Sequence, residues 1–335
     1  MANLFEAATR DYHPARVERS SFRPMPKSIS IKLPKDAESL ELTLGERTVK
    51  LTNLKKPFWP ALKLTKRDLL QYYSDVAPLL LPHLIDRAMV MKRYPNGAAG
   101  DFFFMKRAPS PRPKWVEICH IEHSSGNVID FPMIQDQASL LWVVNLGCID
   151  LNQWYARCDD VDRPDYVHFD LDPVPGATFA KVVDAALFLK QGLDALKIPC
   201  YAKTTGSRGI HIYIPIVRGP TQKQVWGFAR EFAHAVASQE PKLLTTIYQV
   251  SKRPRGRVLV DYNQNAWGRT LASIYSVRPR PRATVSTPVR WQELERGIET
   301  EDFRIDNVPR RLQRLGDLWK PLLSKRGRFK LEVFL

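Results

Sequence analysis

The 335 residues can hold one large domain or two small ones, each with a buried core. Against 35 acidic residues stand 51 Lys and Arg, a formal charge of +16 that suits a polyanionic partner, most simply nucleic acid, although a merely soluble basic protein shares this balance. The longest apolar run, Val76 to Leu84, is broken by Pro78 and Pro82, and the N-terminus has no signal-like apolar segment, so a soluble intracellular protein with no membrane partner is expected. Cys119, Cys148, Cys158 and Cys200 form no C-x-x-C pair, which argues against a zinc site or a disulfide framework.

Residues 1–36 are polar, basic and proline-spotted, as a flexible tail would be. Glu41–Leu44 and Thr48–Leu51 alternate around Gly45 and read as a hairpin. Thr65-Lys66-Arg67-Asp68 is a capping box that opens a helix with Leu69, Leu70, Tyr73 and Val76 on one face. A strand at Ala88–Tyr94 follows, then Phe102-Phe103-Phe104 and a Pro-rich basic loop from Arg107 to Lys114. Val116–His123 and Asn127–Met133 flank Ser124-Ser125-Gly126 as a second hairpin, and Ala138–Leu146 reads as a buried helix. Further on, helices capped by Thr178 and by Thr221 with Gln224 alternate with strands at Tyr166–Asp172, Tyr201–Thr204, Ile210–Ile214 and Val258–Tyr262. Without strict βαβ repetition, the pattern is α+β or mixed α/β.

The chemistry concentrates in three places. In Tyr166-Val167-His168-Phe169-Asp170-Leu171-Asp172, alternation turns Val167, Phe169 and Leu171 into the core and His168, Asp170 and Asp172 outward. Two carboxylates on one strand face suit a divalent cation, although exposed strand-end aspartates are common. In Thr205-Gly206-Ser207-Arg208-Gly209-Ile210-His211, two glycines allow a tight turn whose amides, hydroxyls and arginine could cradle a triphosphate; an ordinary Gly-Ser turn and a hydrogen-bonded core histidine remain the alternatives. Asp261 ends the strand Val258-Leu259-Val260 as a third acidic residue, between the basic runs 251–257 and 278–282. Any one basic run reads as a solvated face. Together these are the components of two-metal nucleotidyl transfer.

These residues resemble a known family. The HFDLDP strand, the TGSRGIH turn and the VLVDYNQNAWGRTLASIYSVRPRP segment are similar to the polymerase domain of bacterial ligase D, in the archaeo-eukaryotic primase superfamily. The resemblance runs from about Leu51 to Leu323 and includes MKRYPNG, FFFMKRAP and LLWVVNLGCIDLNQW. It implies a stand-alone primase-polymerase domain over residues 37–325, with a central sheet flanked by helices. An N-terminal α/β module would span about 37–150, a catalytic core about 151–325, and a short basic tail 326–335. By position, Asp170, Asp172 and Asp261 would hold Mn²⁺ or Mg²⁺. Lys92, Thr205, Ser207, Arg208, His211 and Arg278 would hold the incoming NTP or dNTP, with ribonucleotides preferred. Asn53, Lys56 and Lys66 would bind a DNA 5′-phosphate; without the resemblance the lysines read as surface charge. Phe103 and Phe104 would stack on template bases, with at least one of the three phenylalanines in the core by alternation. The Ser124-Ser125-Gly126 tip resembles a loop that brings DNA ends together. Asn152 stands where the family has a histidine, and Thr205 where it has a serine.

The resulting expectation is a DNA repair polymerase acting at gaps or double-strand breaks, in end joining or short-gap excision repair. Its partners would be DNA carrying a 5′-phosphate, a separate ATP-dependent ligase and Ku, in a cytoplasmic, nucleoid-associated setting. The rival readings are a metal-dependent nuclease and a non-catalytic end-bridging protein.

Overall fold

The computed structural model describes residues 28–334 apart from Ser124; the expected tail over residues 1–27 and the first residue of the Ser124 hairpin tip lie outside it. β1 (Leu40–Leu44) and β2 (Arg47–Leu51) form the expected hairpin, with Gly45 supplying its positive φ of 62°. β3 (Pro57–Trp59) and β4 (Leu64–Thr65) pair antiparallel and lead into α1 (Lys66–Leu84). There the Asp68 carboxylate accepts both the Thr65 amide at 2.8 Å and the Thr65 hydroxyl at 2.9 Å. Pro78 and Pro82, which interrupt the apolar run, lie inside this helix without ending it. Each interior proline costs about 3 kcal/mol. Burial of Val76, Leu80, Leu81 and Leu84 around them recovers about 1.5–3 kcal/mol apiece, enough to offset the two prolines.

Next come β5 (Met89–Arg93), β6 (Phe103–Met105), the hairpin β7 (Ile118–Glu122) with β8 (Val128–Pro132), α2 (Gln137–Asn145) and β9 (Cys148–Gln153). β10 (Tyr166–Pro173), α3 (Phe179–Ala195), β11 (Tyr201–Thr204), β12 (Ile210–Pro215), α4 (Gln222–Gln239), β13 (Leu244–Thr245) and β14 (Val258–Asp261) follow. The chain closes with β15 (Leu271–Ala272), β16 (Pro288–Val289), α5 (Trp291–Arg296), α6 (Val308–Leu315) and α7 (Lys320–Leu323).

Two sheets organise the site. One runs β13-β14-β10-β12-β11-β16, antiparallel except for the β13–β14 pair, and the other runs β15-β9-β5-β6. Val167, Phe169 and Leu171 enter the core as expected, and Phe169 meets Phe232 of α4 at 5.3 Å between centroids. The opposite face is not open to water, however: His168 is 2% and Asp170 8% exposed. It is walled by the second sheet, which Lys203 Nζ reaches by donating to the Ala272 carbonyl at 2.9 Å.

Two further expectations change. Cys119 and Cys158 are disulfide-bonded, with Cα atoms 5.9 Å apart, while Cys148 and Cys200 are free and buried. Packing around Phe131 and Trp154 brings β7 alongside the loop after β9, a proximity that spacing along the chain does not encode. The described parts of both tails are also packed. Leu33 is buried, its amide donates to Gln71 Oε1 and its carbonyl accepts from Arg67. At the other end the Phe329 amide donates to the Pro215 carbonyl, and Leu331 is fully buried. Among the described residues no helix is long and apolar enough to cross a membrane.

Candidate active site

Strand register assembles the acidic face. Asp170 of β10 lies opposite Asp261 of β14 on one side and His211 of β12 on the other, and His211 lies opposite Lys203 of β11. Residues directly opposite share a face, so Lys203, His211, Asp170 and Asp261 form one row across four strands. Asp172 follows on the same face by the two-residue period. Asp261 is held firmly. Its Oδ1 accepts from the Tyr248 hydroxyl and the Asn263 amide, each at 2.9 Å, and its Oδ2 from Gln264 Nε2 at 2.8 Å.

Asp170 is less well served. His211 Nε2 stands 3.1 Å from its Oδ1 but lacks hydrogen-bond alignment, leaving that oxygen buried without a donor. Burial first, and then the Asp261 carboxylate, raise the Asp170 pKa to about 7. Asp172 is raised to about 7 by the charge of Asp170 and by burial, against the pull of Arg208. Burial, reinforced by Lys203 and Arg278, pushes His211 well below its ordinary value, so its ring is neutral. Among the described residues, no group of three or more His, Cys, Asp or Glu stands close enough to make a formed metal shell. The donor set still fits a hard divalent ion: crowded carboxylates with an orphaned buried oxygen are what such an ion relieves.

The turn after β11 differs from the expected amide cradle. The Thr205 hydroxyl oxygen accepts from the amides of Ser207 and Gly209, each at 3.1 Å, so those two donors serve the turn itself. Side chains supply the anion-binding potential instead. Arg278 Nη1 donates to the Thr205 carbonyl at 2.8 Å and its Nε lies 3.2 Å from Asp150 Oδ2, while Arg280 donates to the Ser207 hydroxyl. Lys92 of β5 faces this cluster, opposite Asp150 of β9. Burial lowers its pKa, with Arg278 and Arg280 acting the same way and Asp150 opposing. Asn152 is buried, its amide donating to the Asp150 carbonyl at 3.0 Å.

A second cationic centre forms where β3, β4 and α1 meet. The Lys66 amide donates to the Lys56 carbonyl at 2.9 Å, and the Lys56 amide to the Asn53 carbonyl at 3.1 Å, so the three expected 5′-phosphate residues are brought together. Lys66 Nζ donates to the Thr52 carbonyl at 2.8 Å, and its pKa falls to about 8 through burial, then repulsion from Lys56 and Arg93. Two crowded ammonium groups suit an anion. Phe104 pairs with Lys92 and Phe103 with Arg93, so the two rings point to opposite faces of the β5–β6 ladder. None of the three phenylalanines is core: Phe102, Phe103 and Phe104 are 50%, 42% and 59% exposed, the last two because β6 is an edge strand and Phe102 because it precedes that strand in the loop.

Sequence reasoning missed Asp150, Lys203 and Tyr248 as members of the site, and placed Arg280 only within the basic run 278–282. Lys203 carried a signal, a lysine inside the strand that feeds the turn. Tyr248 carried none, since only folding brings it to Asp261.

Comparison with known proteins identifies the family. The family model described as the LigD primase-polymerase domain matches residues 65–319. The multifunctional non-homologous end joining protein LigD of Mycolicibacterium smegmatis is 33% identical over 276 residues, covering 82% of this chain and 36% of that protein. The bifunctional non-homologous end joining protein LigD of Bacillus subtilis is 31% identical over 269 residues, covering 80% of this chain and 43% of that protein. This chain therefore spans well under half the length of both relatives. The polymerase domain of Mycobacterium tuberculosis ligase D, solved in complex with DNA, superposes with a TM-score of 0.77 at 28% identity, covering 83% of this chain and 98% of that one. The chain belongs to the LigD primase-polymerase domain family.

Proposed function

We propose that this protein is a nucleotidyltransferase of DNA repair that extends a primer 3′-OH at gaps or breaks, in end joining or short-gap excision repair. The observation that carries the reading is the row of Asp170, Asp261 and His211, with Asp172 beside it, facing a turn ringed by Arg208, Arg278 and Arg280. Asp170, Asp172 and Asp261 would hold two divalent ions, Mn²⁺ or Mg²⁺, which lower the pKa of an attacking hydroxyl and offset charge on the leaving pyrophosphate. Lys92, Arg208, Arg278 and the Ser207 hydroxyl would bind the triphosphate by charge-assisted hydrogen bonds. Thr205 would act by shaping the turn, and neutral His211 by offering a ring nitrogen beside Asp170 without adding charge. Asn53, Lys56 and Lys66 would anchor the 5′-phosphate across the gap, and Phe103 and Phe104 would stack on template bases. Ribonucleotide preference and work beside an ATP-dependent ligase and Ku belong to the same reading.

The test is primer extension on a short-gapped duplex carrying a 5′-phosphate, with NTPs or dNTPs and Mn²⁺ or Mg²⁺. Extension favouring NTPs and lost in Asp170→Ala, with gap binding retained, supports the reading. Retained synthesis in Asp170→Ala overturns the metal assignment, and strand cleavage without synthesis favours a nuclease. Tight 5′-phosphate-dependent binding with no extension under either metal leaves an end-bridging protein.

A further inference from the structure

Lys92 is enclosed by aromatic rings to a degree that triphosphate binding does not itself require. Its Nζ lies 4.0 Å from the Phe102 ring centroid and 5.5 Å from those of Tyr94 and Phe104. Phe102 is braced in turn by a tilted contact with Tyr94 at 5.4 Å and an edge contact with Phe104 at 5.8 Å. Half of its surface is nonetheless exposed. An aromatic ring left at the solvent boundary invites a second reading, as one more platform for a template base. The geometry argues otherwise for the ring face that meets Lys92, since an ammonium at 4.0 Å occupies it.

The charges nearby explain why such a seat matters. Arg278 and Arg280 repel Lys92, and Asp150 attracts it, but Asp150 is already engaged by Arg278 Nε at 3.2 Å. A lysine has a flexible four-carbon stem and a strongly hydrated head, so repulsion alone would send the ammonium out to water. The negative faces of the rings hold it back, and partial burial strengthens that attraction.

We propose that Phe102 is a positioning residue: it seats the Lys92 ammonium at the triphosphate pocket and so sets affinity for nucleotide, not for DNA. The proposal rests on Lys92 being a triphosphate ligand.

The test uses the full chain with Phe102→Leu, Phe102→Trp, Lys92→Met and the Phe102→Leu/Lys92→Met double variant. Equilibrium binding of a non-hydrolysable α,β-methylene ribonucleoside triphosphate is measured beside gapped-DNA binding and the KM and kcat of extension. Phe102→Leu should weaken nucleotide binding by about threefold to tenfold, the equivalent of about 0.7–1.4 kcal/mol, raising KM far more than it lowers kcat. Phe102→Trp, which keeps a ring face, should restore binding. In the Lys92→Met background the Leu change should add nothing, because the partner it seats is gone. Equal losses in both backgrounds would overturn the proposal, as would weaker DNA binding with nucleotide binding unmoved, the mark of a template platform. If Lys92→Met itself leaves nucleotide binding unchanged, the assignment of Lys92 fails first and the proposal falls with it. Loss in Lys92→Met with none in Phe102→Leu sinks the proposal alone.

Discussion

Replacing Gly209 by alanine tests how closely the turn after β11 is set against the acidic strand. A Cβ there would stand 2.3 Å from the Leu171 carbonyl oxygen and 3.3 Å from Asp172 Oδ1. An ordinary carbon–oxygen contact is about 3.3 Å, so the start of β12 must move about 1 Å away from β10. The obstacle is backbone, and it cannot swing aside as a side chain would. Overpacking of this kind costs about 1–3 kcal/mol, a fall of several degrees in Tm. The same displacement separates His211 from Asp170 and the turn from Asp172, and a misplacement of about 1 Å can cost on the order of 100-fold in turnover. Thermal unfolding and single-nucleotide gap filling measure the two effects. Binding to a phosphorylated gap should survive, since Asn53, Lys56 and Lys66 lie on other elements. Gly227→Ala is the control: in α4, with nothing within 4 Å of its added Cβ, it should stabilise by about 0.5–1 kcal/mol. Wild-type Tm and turnover in Gly209→Ala would refute the close approach.

Changing Lys56 and Lys66 together to alanine should reduce the preference for phosphorylated over unphosphorylated gaps in an anisotropy assay; an unchanged preference would show that the anion site lies elsewhere. Burial raises the Asp165 pKa, but Arg87 and Arg157 outweigh it and hold the carboxyl at about 2, below the ordinary 3.8. Because the folded value is the lower one, this group contributes about 2 kcal/mol above about pH 4, lost as pH falls toward 2. Urea midpoints should therefore drop more steeply in that window for the wild type than for Asp165→Asn. At neutral pH Asp165→Asn should itself lose about 3–5 kcal/mol, since it strands the buried Arg87 guanidinium. The Cys119–Cys158 bond closes a loop of 39 residues, so reductant should lower stability by about 2–4 kcal/mol; equal Tm with and without it would count against the bond's contribution.

What could be read along the chain was local. The capping boxes at Thr65 and Thr221 mark helix starts because cap and partner are three residues apart. The shared face of Asp170 and Asp172 follows from the two-residue period of a strand. What could not be read depends on remote neighbours. Pro78 and Pro82 are tolerated because buried apolar side chains surround them, and Cys119 finds Cys158 only after β7 packs alongside the loop that follows β9. Alternation placed one of the three phenylalanines in the core, but an edge strand beyond the packed layer has no core to offer its second face. Nor does the run of residues in the turn reveal that the Thr205 hydroxyl occupies two of its amides, since that depends on how the turn closes.

The β5–β6 ladder gives the two proposed anion centres a common frame. Lys92 and Arg93 are adjacent, so pleating sends them to opposite faces, each with its own ring: Phe102 and Phe104 beside Lys92, and Phe103 5.1 Å from Arg93. Lys92 faces Arg278 and Arg280 beside the turn after β11, and Arg93 is close enough to Lys66 to depress its pKa. If both centres bind as proposed, the thickness of one two-stranded ladder separates the incoming nucleotide from the downstream 5′-phosphate. A gap of one or a few nucleotides would then be spanned without strain. As the gap lengthens, the 5′-phosphate should stop stimulating extension, because a strand end held at Lys56 and Lys66 could no longer share a template with a primer at Asp261. Gap filling measured against gap length, in the wild type and in the Lys56→Ala/Lys66→Ala variant, reads this directly. The curves should diverge at short gaps and merge at long ones, and a stimulation independent of length would show that the two centres act separately.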